Sequence, residues 1–489
     1  MQATSEISLS DSLKLWFKIG CISFGGPAAQ IALMYRELVE RRRWISDGRF
    51  LHALNYCMVL PGPEAQQLAT YLGWLTHGSL GGIAAGLLFV LPSLLIMIGI
   101  GSLYVLFGQL PEVQALLYGV KPAVLAIVLA ACLRLGQRVL RGPLWWSIAV
   151  GSLLGLLIGL SFITIIILAG LTGWITFLLA RTPIKGLEVF SGVRPRTSAQ
   201  AQTAPPSTAL SDLDPTSDPE DDTQSPINPQ NRADTQEPSK RRADQFIIDD
   251  DTPPPAIIRT DSRHLMMALG TGVALWALLY SIVVQFMPYV LADMAAFFTK
   301  VALVTFGGAY AVLPYVFDSA VNDYQWVTAS QMMDGLALGE TTPGPLVMIN
   351  AFVGFVGAAQ HTSLAFLPIT WAGTLGAVVV TVFTFLPSFV FILVGAPWIE
   401  ATRKNLSLAA PLTAISAAVV GVIVDLGLIF AQHTFFPDGQ LWSWRSLDLV
   451  AIFIAVLASL MLLQFRLGML TTLLVSTALG VVAVALQLP

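Results

Sequence analysis

A proline–glycine–proline triplet interrupts an apolar stretch twice in this chain, at Pro61-Gly62-Pro63 and at Pro343-Gly344-Pro345. Proline removes a backbone donor and clashes with the preceding turn, so neither stretch is one continuous helix. At membrane depth, backbone freed in this way survives only where it is buried in protein or lines a wet cavity. The second proline of each triplet suits the first turn of a new helix. That helix starts with free N–H groups and a partial positive charge, which together suit an anion.

The surrounding medium is set by composition. Of 489 residues, 55% are hydrophobic and 11% charged, whereas a soluble protein carries about 25% charged residues. Mean hydropathy is +0.72. Apolar runs at 83–107, 144–180, 265–292 and 448–463 cross or nearly cross a bilayer, which takes about 20 residues. They are continuous rather than alternating, which excludes a β-barrel. The expectation is an all-α polytopic membrane protein. The polar start, residues 1–15, lacks the pattern of a signal peptide. Cys21, Cys57 and Cys132 are scattered through apolar segments, which argues against a disulfide framework or a zinc site. The histidines show no metal-ligand spacing, and haem, iron–sulfur and Walker motifs are absent. No cofactor, no metal and no ATP drive is expected. No triad, nucleophile elbow or paired-carboxylate signature points to an enzyme, and nothing points to nucleic acid.

The chain is duplicated. Phe24-Gly25-Gly26 matches Phe306-Gly307-Gly308 at an offset of 282. The same register pairs Lys18 with Lys300, Ser23 with Thr305, Trp44 with Trp326, and the first Pro-Gly-Pro with the second. Pro92-Ser93 matches Pro387-Ser388 at an offset of 295, so the second copy carries about 13 extra residues in between. Duplicated, Gly/Pro-broken apolar segments are the pattern of a secondary transporter. Three regions follow: a first repeat at 1–185, a disordered acidic linker at 186–262, and a second repeat at 263–489 with one extra span at 265–287. The linker is rich in Pro, Ser, Thr, Gln and Asp, with twelve acids and four bases in 211–251.

Charge orients the copies. The segment 36–49 carries Arg36, Arg41, Arg42, Arg43 and Arg49, whereas its counterpart 318–331 has Asp318 and Asp323 and no base. By the positive-inside rule the first is cytoplasmic and the second is outside. Arg134, Arg138 and Arg141 mark another inner loop, as do Arg403 and Lys404, while 109–112 has no base. The two halves are expected in inverted orientation, with broken or re-entrant helices at 12–35, 50–77, 293–316 and 331–358. Full spans are expected near 80–107, 113–136, 144–160, 162–180, 366–396, 406–431, 447–463 and 468–487. The expected setting is a bacterial-type inner (plasma) membrane, crossed many times.

Four broken segments, two per half, form the candidate substrate site. The backbone of Gly25, Gly26, Gly62, Gly307, Gly308 and Gly344 would cradle an oxyanion. Pro61, Pro63, Pro343, Pro345, Phe24 and Phe306 shape the breaks. Ser23, Thr305, Gln30, Gln66, Gln67, Asn350 and Tyr310 add neutral polar groups nearby, although a tyrosine here is more often a packing aromatic. Lys18 and Lys300 either attract the anion or extend to the interface. Glu64 and Glu340 are proton-coupling candidates; the other reading is a carboxylate complementing a helix start. Asp334 and His52 are equivalent positions and read as facing the headgroup region.

At these residues the chain resembles the chromate ion transporter family, in its long-chain two-domain form. The resemblance rests on Ser23-Phe24-Gly25-Gly26-Pro27 with Gln30, Trp44, and Leu60-Pro61-Gly62-Pro63 with Gln67-Leu68-Ala69 and Tyr71. In the second half it rests on Phe306-Gly307-Gly308, Tyr310-Ala311-Val312-Leu313-Pro314, Asp334 to Gly339, Thr342-Pro343-Gly344-Pro345 and Phe385 to Phe389. It implies export of chromate driven by protons or membrane potential, and chromate resistance. Uptake or channel-type passage of sulfate or a related oxyanion is the alternative. The residues leave a homo-oligomer open.

Overall fold

The computed structural model describes residues 7–179, 246–249, 262–306, 308–401, 409–436 and 447–486. These residues form sixteen α-helices and no strand. In the first half they are α1 (Leu9–Ile22), α2 (Gly26–Tyr35), α3 (Asp47–Cys57), α4 (Glu64–Phe107), α5 (Pro111–Val139), α6 (Pro143–Leu157) and α7 (Phe162–Leu179). Then α8 (Ser262–Phe286) precedes the second set: α9 (Tyr289–Val304), α10 (Ala309–Asp318), α11 (Ala329–Thr341), α12 (Ile349–Gln360), α13 (Ile369–Ala401), α14 (Ala409–Phe435), α15 (Leu449–Leu463) and α16 (Met469–Ala485). Six helices of the described residues are long and apolar enough to cross a membrane. With its composition, this makes the chain an all-α, multi-pass membrane protein.

The order of elements repeats as the sequence register predicts. The α1–α2 pair corresponds to α9–α10, and α3 to α11. The first part of α4 corresponds to α12 and its second part to α13. In the first half those two parts are joined across a kink at His77 and Gly78. In the second, the extra residues open the kink into a connection holding a short 3₁₀ turn, Thr362–Leu364. Smaller details also repeat. Ser46 caps α3 by accepting from the Arg49 amide, and Thr328 caps α11 in a reciprocal box with Gln331. A π-helical turn leads into each cap, at Arg36–Arg41 and at Ser319–Asp323. Each is closed by a residue at positive φ, Arg43 and Gln325.

The halves interlock rather than sit side by side. Helix α5 packs on α15 and α16, and its counterpart α14 packs on α6 and α7. Bilayer lipid is as apolar as leucine, so close packing and interhelical hydrogen bonds hold such contacts together. Gly119 of α5 lies against Ser476 and Gly480 of α16, where a β-carbon would overlap backbone. Ser152 of α6 donates to the Ala418 carbonyl of α14 at 2.8 Å. Helix α8 stays at the periphery and exposes Met266, Met267, Val273 and Leu278. Of the linker, residues 246–249 are described: Ile248 pairs in parallel with Ile45, and its carbonyl accepts from the Ser46 amide at 3.0 Å. Apart from Ser262, which begins α8, the rest of the expected acidic linker lies outside the described residues.

Candidate functional site

The four breaks meet in two pairs, and each pair joins the two halves. The Gly62 amide donates to the Thr305 carbonyl at 2.7 Å, and the Gly344 amide donates to the Ser23 carbonyl at 2.8 Å. The two bonds are the same bond in the 282-residue register. Each Pro-Gly-Pro of one half therefore closes on the end of the helix before the Phe-Gly-Gly of the other. Gly62 and Gly344 are at φ 124° and 110°, a region that favours glycine.

Side chains lock the crossing. Gln30, fully buried on α2, donates through Nε2 to the Gly344 carbonyl and to the Ser23 carbonyl. Gln67 on α4 donates to the Pro61 carbonyl at 2.7 Å and to Ser388 Oγ at 3.4 Å. Gln66 donates to Thr70 at 2.9 Å. Thr305 turns its hydroxyl back to the Val301 carbonyl at 2.6 Å. Pro63, Pro343 and Pro345 are buried and Pro61 is half-buried.

Ser388 and Ser93 belong to the site as well, although in the sequence they stand out only as a repeated Pro-Ser pair. A β-carbon at Gly62 would overlap Ser388, and one at Gly344 would overlap Ser93. Their duplication in register was the available signal. Buried polar atoms also remain without a hydrogen-bond partner here: Ser93 Oγ, both amide atoms of Asn350, and the Oε1 atoms of Gln30, Gln66 and Gln67. Such groups are costly without a partner. Gln30 and Gln67 each make two Nε2 bonds to protein, so Asn350 Nδ2, the Ser93 hydroxyl, the second N–H of Gln66 and helix-start amides are the donors left for a ligand.

The two Phe-Gly-Gly turns differ chemically. At the first, Phe24 and Gly25 are exposed. At the second, Gly308 starts α10 and points toward Glu64, whose Oε1 lies 3.9 Å from where a Gly308 β-carbon would be. Tyr310, one turn in, donates its hydroxyl to Glu340. Arg138 and Arg134, one turn apart on α5, act electrostatically on Glu64 and Glu340 respectively; in the sequence they stand out only as inner-loop charges. Gly307 lies outside the described residues. Phe306 is half-buried.

The lysines part company. Lys18 Nζ is bonded to Glu37 Oε1 at 3.0 Å, and Arg41 reaches the same oxygen at 3.1 Å. Burial alone would raise the Glu37 carboxyl, but hydrogen bonds and charge from Lys18 and Arg41 outweigh it and hold the group below its ordinary value. Lys300 is exposed on α9. Its register gives it Ser319 where Lys18 has Glu37.

Comparison with known proteins names this architecture. The family described as chromate transporter matches residues 11–174 and 292–482, which are the two halves. A chromate transport protein of Pseudomonas aeruginosa is 31% identical over 460 residues, covering 90% of this chain and 89% of its own. A probable chromate transport protein of Synechococcus elongatus is 26% identical, covering 87% and 86%. A chromate transport protein of Cupriavidus metallidurans is also 26% identical, covering 94% and 89%. No solved structure matches the chain. The chain belongs to the chromate transporter family, and is a multi-pass membrane transporter rather than an enzyme.

Proposed function

We propose that this protein exports chromate across a bacterial inner membrane by alternating access, driven by protons or membrane potential, and so confers chromate resistance. The observation that carries the reading is the reciprocal pair of bonds from Gly62 to Thr305 and from Gly344 to Ser23. It joins the four helix breaks of the two duplicated halves in two reciprocal pairs, and the interface of the repeats is where inverted-repeat transporters hold their substrates. Helix starts and unpartnered Asn350 and Ser93 suit a tetrahedral dianion that must be released as well as bound. The Gly25–Gly26 start, without an acid in the position of Glu64, takes the anion. The Gly308 start, flanked by Glu64 and Glu340, carries the proton. The charge pattern of 36–49 against 318–331 supports inversion of the halves.

The test is transport of labelled chromate into inverted membrane vesicles containing the protein, with sulfate as competitor and an uncoupler as control. Export predicts uptake that the uncoupler abolishes. Equal uptake in vesicles with and without the protein would overturn the reading, and uptake that only follows the chromate gradient would make it a channel.

A further inference from the structure

Away from the crossing, the end of α4, the start of α5 and the start of α11 enclose a pocket of about 640 Å³. Its rim is polar and exposed, with Gln109, Gln114, Thr328 and Ser330. Its base is Asp334, which is 2% exposed. The Asp334 Oδ2 accepts from the Tyr104 hydroxyl at 2.8 Å, while Oδ1 is buried and has no hydrogen-bond partner. A carboxylate so placed lacks the donors that make burial of charge tolerable. The sequence places Asp334 at the headgroup region; the structure buries it at the base of this pocket.

The surroundings select the ligand. Lys121 of α5 lines the same pocket, and it makes no ion pair within 4 Å among the described residues. A single carboxylate with an ammonium nearby is a poor metal site; the ammonium also disfavours a proton on Oδ1, but a buried oxygen with no hydrogen-bond donor favours the neutral acid over the anion. Tyr118 of α5 also lines the pocket, but its hydroxyl is held by Asp448 at 2.7 and 2.8 Å. Helices α12 and α16, which also pack on α11, carry no titratable residue. Helix α14 carries Asp425 and His433, and Asp425 interacts with Asp318 instead.

We infer that this pocket is a proton-loading site, and that Asp334 Oδ1 takes the proton from water at the rim. The inference deepens the proposed coupling and rests on it. The same helix carries Glu340 six residues on, about 9 Å along its axis, so α11 joins the pocket to the acid beside the crossing. Both acids take a tyrosine hydroxyl, from Tyr104 and from Tyr310. The pocket opens among the base-free loops, the side the charge pattern assigns to the exterior, where the proton gradient would load it.

The experiment uses the full chain in proteoliposomes and measures two things: chromate accumulation driven by a pH gradient, and exchange of labelled for unlabelled chromate at equal pH. Asp334→Asn is expected to lose accumulation while exchange falls far less. Asp334→Glu restores accumulation with a shifted pH profile. Gradient-driven accumulation by Asp334→Asn equal to that of the unaltered protein overturns the inference, and so does equal loss of exchange and accumulation, which marks a structural residue. Exchange without pH-driven accumulation in the unaltered protein defeats proton coupling and leaves chromate transport standing. Absence of exchange in the unaltered protein defeats the transport reading itself.

Discussion

The Gly62 amide donates to the Thr305 carbonyl at 2.7 Å, across the boundary between the two halves. The register repeats it as Gly344 to Ser23. The helix break is thereby a joint between halves rather than a local kink, and its geometry leaves little room for substitution.

Gly62→Leu and Gly344→Leu are each expected to abolish chromate resistance while the protein stays in the membrane. A β-carbon at positive φ costs roughly 1–2 kcal/mol. At Gly62 it would also overlap Ser388 and come within 2.7 Å of Gln67 Nε2. Growth on chromate, with protein detected in membranes, checks this. Gly62→Ala combined with Ser388→Gly should recover part of the activity, because it removes the overlap and keeps the backbone strain. Full resistance in both leucine variants would sink the crossing as the transport site.

Gln30 and Gln67 hold backbone, so their loss should register as stability before affinity. Gln30→Leu leaves the buried Gly344 carbonyl without its side-chain donor, a cost of about 1–3 kcal/mol. Thermal unfolding in detergent should show a lower Tm, with the KM for chromate little changed. A raised KM at an unchanged Tm would instead assign the amide to the substrate.

The helix plan was legible in the sequence because prolines and glycines mark its ends. The expected break between 12–35 segments falls between Ile22 and Gly26, and the expected late spans coincide closely with α13 to α16. The identity of the partners at each break was not legible. A register tells which residues are equivalent, and Gly62 and Gly344 are equivalent, yet each bonds to the other half's Ser or Thr rather than to its twin. The π turns at Arg36 and Ser319 have no composition that announces them. Glu37 is one of two acids, with Glu40, among arginines, so its hold on Lys18 shows only once α1 and the π turn are placed together.

That hold separates two residues the sequence treats as a pair. Lys18 faces a carboxylate, while Lys300 has serine in the equivalent place. Lys300→Gln should therefore raise the KM for chromate more than Lys18→Gln, and the difference should shrink with added salt as exposed charges are screened. Equal kinetics for both variants and the unaltered protein at low salt would make both lysines interface anchors only.

Glu37 gives a stability test with a definite sign. Its carboxyl is held below the ordinary value in the folded chain, so folding favours the ionised form. Its contribution is fully present above the unfolded value, about 4.3 for glutamate, and is lost as pH falls through the lower folded value. Glu37→Gln should lower Tm at neutral pH, and the gap to the unaltered protein should close as pH drops below the ordinary carboxylate range. Lys18 is half exposed, and an exposed ion pair is worth roughly 0–1 kcal/mol, so Lys18→Gln should move Tm less than Glu37→Gln does. A gap that stays constant from neutral to acid pH would show that Glu37 stabilises the turn through shape rather than charge.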